Sequence, residues 1–147
     1  MSGTRLTVEK FTIGVDGDFE GRRISFADGG VVFIKGDAGD HAYVVASGRV
    51  EIREGGRVLE VMEQGELFGE MALIDSEPRS ASAVAVGRTE LVVIDRQVFD
   101  RLLREEQDFA VSVMRLMSRR LRAAMAAARH PVEDMPMPIG IPPRKAS

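Results

Sequence analysis

The segment from Phe68 to Ala83 carries the groups best suited to holding a small anion. Gly69 permits close backbone approach. A short helix starting directly after it would present free N–H groups, which suit a phosphate. Arg79 lies ten residues beyond Gly69, after a turn ending in Pro78, and its planar fork matches phosphate oxygens. Ser80 adds a hydroxyl and another N–H. Glu70 cannot itself hold phosphate, but it can accept from a neutral hydroxyl such as a ribose 2′-OH while Arg79 offsets its charge. Together these residues are what a nucleotide with a single compact phosphate would need. They also suit a capped surface turn closed by an Arg–Glu pair, and the segment alone leaves both readings open.

Composition removes most competing chemistry. The 147 residues include no Cys, which excludes disulfides, thiolate nucleophiles, Cys-ligated zinc and iron–sulfur clusters. The two histidines, His41 and His130, are too few for a multi-histidine metal site of the small-barrel enzymes, and they make no convincing haem pair. His41 stands just before an expected strand and His130 at a helix end, so both read as surface or capping residues. No nucleophile–base–orienter set is visible. Asp16-Gly17-Asp18-Phe19-Glu20-Gly21 reads as an acidic turn, because a calcium loop needs a closing Glu that is missing. No metal and no cofactor are expected. The longest apolar runs fall far short of a spanning helix, and no signal segment follows Met1, so a cytoplasmic, single-domain chain is expected.

The elements that must position these residues follow from the turn formers. Fourteen of the fifteen Gly lie between Gly3 and Gly87, and five of the six Pro lie at or after Pro131. A turn-rich part thus precedes a turn-free one and a Pro-rich tail. Val31–Ile34, Ala42–Ala46, Val50–Arg53, Val58–Met62 and Leu91–Ile94 read as short strands, with Ser47-Gly48 ending one of them. Gly55-Gly56 marks a hairpin. Leu6, Val8, Phe11 and Ile13 hint at an extra strand. Many short strands at close spacing point to an antiparallel roll or sandwich. Asp95 can cap a helix carrying Val98, Phe99, Leu102 and Leu103, and Asp108 a longer one that Pro131 stops.

From Phe26 to Leu103 the chain resembles the cyclic-nucleotide-binding domain family. The matching residues are Phe26, Gly29, Phe33, Gly36-Asp37, Tyr43, Gly48, Gly65, Phe68-Gly69-Glu70-Met71-Ala72-Leu73 and Pro78-Arg79-Ser80-Ala81, with Phe99 and Leu103 behind them. The resemblance implies a mainly β fold: an eight-stranded antiparallel β-roll of jelly-roll type with a short cassette helix and C-terminal helices. It implies that Gly69, Glu70, Met71, Ala72, Arg79, Ser80 and Ala81 bind a cyclic nucleotide, cyclic AMP or cyclic GMP. Gly69 and Ala72 would offer N–H groups near the phosphate, Glu70 would take the 2′-OH, and Arg79, helped by Ser80, would pair with the phosphate. Leu67 and Met71 would be pocket wall, and the site a surface cavity whose residues add little to stability. In the related activators polar side chains near the end of the long helix reach the purine. Ala124-Met125 stands there instead, so the base is unassigned.

The implied layout is an N-terminal extension (1–22), a binding roll with its first C-terminal helix (23–106), a long helix (107–130) and a disordered Pro-rich tail (131–147). In the long helix Ala110, Met114, Met117, Leu121, Ala124 and Ala128 recur at steps of 4, 3, 4, 3 and 4. That is a heptad seam, suited either to folding back on the roll or to a homodimer through Asp108–Arg129. Residues 1–114 carry 13 basic against 21 acidic side chains, and residues 115–130 five Arg and no acid. This is not the footprint of a nucleic-acid binder, and the 17 residues after His130 are too few for a helix-turn-helix. The expectation is a non-catalytic sensor that signals by moving its C-terminal helix, without DNA or membrane partners and with a protein partner unknown. The alternative is a ligand-free module of the same fold that docks another protein.

Overall fold

A computed structural model describes the backbone of residues 7–12 and 18–133 and the side chains of residues 21–128. The elements run β1 (Thr7–Thr12), β2 (Asp18–Phe26), β3 (Val31–Phe33), β4 (His41–Glu54), β5 (Arg57–Met62), β6 (Leu67–Phe68), α1 (Met71–Asp75), β7 (Ser82–Asp95), α2 (Arg96–Glu105) and α3 (Gln107–Glu133). Every strand pair is antiparallel. The chain divides into two compact units, Met1–Ser112 and Val113–Ser147.

In the first unit β4 and β7 run side by side for most of their length, and both bend midway. Residues 41–47 of β4 pair with residues 90–95 of β7, and residues 49–53 with residues 82–86. β2 and β6 flank the first half of this ribbon, at Phe26↔Thr89 and Tyr43↔Phe68 for example, and β3 and β5 flank the second. The roll therefore has seven strands among the described residues where eight are expected. Ser47-Gly48 bends one continuous strand instead of ending it. Gly48 (φ +82°) and Gly87 (φ +70°) supply the backbone conformations that other residues avoid. Thr89, fully buried, ties the corner by donating from Oγ1 towards the carbonyls of Arg49 and Gly87, 3.1 Å from each.

The hairpin between β4 and β5 turns on Gly55-Gly56, both at positive φ, as a two-residue turn matching strand twist requires. Val45, Val50, Met62, Phe68, Ala83 and Leu91 form a buried cluster, with Ile24, Phe26, Val32, Phe33, Tyr43 and Ile52 packed on it. β1 supplies the extra N-terminal strand, and β2 runs through residues 22 and 23. Of the acidic turn, residues 16 and 17 lie outside the described residues, and Asp18 begins β2.

Asp95 caps α2, its carboxylate accepting from the Val98 N–H at 2.9 Å. Phe99 of α2 meets Phe109 edge to face, ring centres 5.8 Å apart, and both are buried. α3 begins at Gln107, so Asp108 sits inside its first turn, where a carboxylate still opposes the helix dipole. It continues past Pro131 to Glu133. A proline near a helix end removes one N–H but holds φ close to the helical value, so one more turn survives. The tail beyond residue 133 lies outside the described residues, as does the side chain of His130. In the second unit, Met114, Leu121 and Met125 are exposed. No described helix is long and apolar enough to cross a membrane.

Candidate functional site

The segment between β6 and β7 leaves the sheet and returns to it under close control. Phe68 ends β6 opposite Tyr43, and the two rings stack at 5.4 Å, with Phe33 about equally close to both. Gly69 (φ +78°) then swings the chain off the strand, and Glu70 begins α1 at its N-cap with helical dihedrals. Ser76, left-handed at φ 59°, closes α1 by donating its N–H to the Ala72 carbonyl. On the way back the Arg79 N–H donates to the Asp37 carbonyl and the Gly36 N–H to the Arg79 carbonyl, each at 2.8 Å. Arg79 is thereby clipped to the turn after β3.

The guanidinium of Arg79 reaches back across this excursion. Nη1 donates to the Gly69 carbonyl at 2.7 Å and Nη2 to the His41 carbonyl at 2.6 Å. Its carbon stands 4.1 Å from the centre of the Phe33 ring, a cation–π contact. Arg79 is only 6% exposed. Burial pulls its pKa below the usual arginine value, opposed in turn by Tyr43, Asp40, Glu70 and Asp37. Burial likewise pushes the Tyr43 phenol up, with Arg79 opposing. A surface turn with a solvated Arg–Glu pair does not describe this arrangement, since both side chains are buried.

The other residues of the segment divide by exposure. Gly69 is half-buried; Glu70, Ala72 and Ala81 are buried; Ser80 is exposed. Leu67 is buried, but Met71 is 47% exposed and so is not core, because it faces outward from a helix of five residues. Arg79 and Glu70, expected in a surface cavity, have buried side chains. Two participants escaped the sequence reading. Gly39 lies against the guanidinium. His41, read as a surface or capping residue, is the half-buried first residue of β4, and it contributes its carbonyl while its ring Nδ1 lies 2.7 Å from Asp40 Oδ1. A backbone acceptor leaves no trace in side-chain type. From α2, Arg96 Nη1 donates to the Leu73 carbonyl at 3.1 Å, tying α1 to α2.

Comparison with known proteins gives a consistent match. The family model for the cyclic nucleotide-binding domain matches residues 23–106. The cyclic AMP receptor protein of Thermus thermophilus is 43% identical over 108 residues, which is 70% of this chain and 50% of that protein. The cAMP-dependent protein kinase regulatory subunit of Dictyostelium discoideum is 33% identical over 87 residues, 54% of this chain and 27% of the subunit. Among solved structures, the Thermus thermophilus catabolite activator protein superposes with a TM-score of 0.68 at 40% identity, covering 74% of this chain and 54% of that one. The chain thus spans half or less of the length of these curated relatives.

Proposed function

The chain belongs to the cyclic nucleotide-binding domain family, and from that premise we propose that residues 23–106 bind cyclic AMP or cyclic GMP in a non-catalytic sensor. The observation that carries this reading is Arg79: a buried guanidinium whose hydrogen bonds both end on neutral carbonyls. Burying a charge is costly; Asp40, Glu70 and Asp37 offset part of that cost, and the single negative charge of a cyclic phosphate is a fitting direct partner. In this reading Gly69 and Ala72 offer backbone N–H groups and Ser80 its hydroxyl to the phosphate. Glu70 accepts from the ribose 2′-OH, and Met71 and Ala81 complete the cassette. The Arg96 contact to the Leu73 carbonyl supports a signal passed from α1 to the C-terminal helices.

Thermal melting with added nucleotide tests the proposal. Ligand at about 100 times its dissociation constant should stabilise the protein by roughly 2.7 kcal/mol. The absence of any shift with either nucleotide at millimolar concentration would favour instead an empty module that docks another protein.

A homodimer through Asp108–Arg129 is proposed with it, supported by the exposed line of Met114, Leu121 and Met125 on α3. Leu121→Glu would place like charges together across a two-fold seam, and sedimentation should then report a folded monomer. A wild-type chain that stays monomeric at high concentration, with and without nucleotide, removes the seam.

A further inference from the structure

We propose that Gly39 and Phe33 are positioning residues of the phosphate site, forming a slot that fixes the plane of the Arg79 guanidinium; the inference rests on the cyclic-nucleotide reading above. Gly39 lies in the loop between β3 and β4. A Cβ added to it would stand 2.3 Å from Arg79 Nε, 2.5 Å from Cζ and 2.7 Å from Nη2. Those three near-equal distances put the methyl group over the guanidinium itself. The ring of Phe33 stands 4.1 Å from the same carbon. Gly69 closes a third approach, since a Cβ there would lie 2.9 Å from Nη1. The guanidinium is thus hemmed by an aromatic ring and two bare stretches of backbone. Its Nε–H is buried without an acceptor among the described residues.

The reason for glycine at residue 39 differs from the reason at Gly36, Gly48 or Gly69. Those three have positive φ and Gly39 does not, so its backbone conformation suits any residue. The three atoms nearest to a side chain there all belong to the guanidinium. The obstructing atoms are the far end of a flexible side chain, so Arg79 can swing away from the slot, giving up its bonds to the Gly69 and His41 carbonyls as it does so. The slot therefore acts through Arg79 alone: its loss should cost the fold no more than the loss of Arg79 itself, while the misplaced guanidinium weakens binding. Phe33 adds orientation: an aliphatic side chain of similar bulk would fill the space without the electrostatic preference of a ring face for a cation.

Gly39→Ala should melt no earlier than Arg79→Ala and lose about 10- to 100-fold in affinity for cyclic AMP or cyclic GMP, whichever binds more tightly, since charge-assisted hydrogen bonds to the phosphate are lost. In an Arg79→Ala background the same change should have no further effect on affinity, because Gly39 acts only through Arg79. Phe33→Leu should show a smaller loss with the same dependence. In the nucleotide-free protein, the Arg79 Nε–H signal in a nitrogen–proton spectrum, assigned by its loss in Arg79→Ala, should be protected from exchange in wild type and exposed in Gly39→Ala. Equal losses from Gly39→Ala in the two backgrounds, or an Arg79 signal unmoved by it, would overturn the slot. The spectrum decides this even if wild type binds neither nucleotide, an outcome that would sink the functional reading instead.

Discussion

Arg79→Ala should weaken cyclic-nucleotide binding by about two to four decades in dissociation constant, the largest effect of any single change in the site. The cyclic phosphate is the ligand's only charge and Arg79 the only cation between Gly69 and Ala81. Breaking a buried pair by removing one partner costs about 3–5 kcal/mol, and each 1.4 kcal/mol or so is tenfold. Glu70→Gln should cost less, because an amide retains hydrogen-bonding capacity towards the 2′-OH, where bonds to a charged group contribute about 1.5–3 kcal/mol. Ser80→Ala should cost least, because Ser80 is exposed and its backbone N–H remains. Calorimetric titration ranks the three. An Arg79→Ala variant binding within about threefold of wild type would show that the phosphate sits elsewhere. Arg79→Ala also strips donors from the Gly69 and His41 carbonyls. Each buried acceptor left unpaired costs about 1–3 kcal/mol, so this variant should melt earlier than wild type and be titrated at a temperature where it is still folded.

Gly48→Ala should destabilise the roll by about 2–5 kcal/mol. A Cβ at Gly48 would lie 2.5 Å from the Arg88 carbonyl oxygen, 2.6 Å from Thr89 Oγ1 and 2.8 Å from Thr89 Cα. Two of these atoms are backbone of the neighbouring strand and cannot rotate aside. The left-handed conformation alone costs a residue with a Cβ about 1–2 kcal/mol, and forced overpacking about 1–3 kcal/mol more. Gly55→Ala is the control. It shares the positive φ but meets nothing within 4 Å, so only the conformational cost of about 1–2 kcal/mol applies. Urea denaturation measures both. Equal losses at the two positions would show that β4 packs against β7 at the bend more loosely than the distances state.

The contrast between these glycines explains how far the sequence could be read. Gly55-Gly56 announces its hairpin because a two-residue turn makes a local demand on φ that few other residues meet. Asp95 announces a helix because its carboxylate is satisfied three residues away. Gly48 looks the same as a turn glycine, and only the long-range pairing of β4 with β7 turns a stop into a bend. Gly39 is silent, since its requirement comes from Arg79, forty residues along the chain. The site divides likewise. Glu70 and Arg79 could be picked out as charged groups at a useful spacing. Their burial and the carbonyls that hold Arg79 belong to the tertiary structure, where backbone groups contribute without regard to residue type.

The double clip of Arg79 to the turn at Gly36-Asp37 has a consequence for how the molecule could be modified. Phe68 and Arg79 are both pinned to the roll, and the residues between Ile74 and Pro78 are exposed. Chain length added there is length added between two fixed posts, and closing a longer loop costs little extra entropy. The stretch is thus a natural port, where a fluorescent label or a short peptide could be spliced beside the proposed ligand site while the arginine keeps its place.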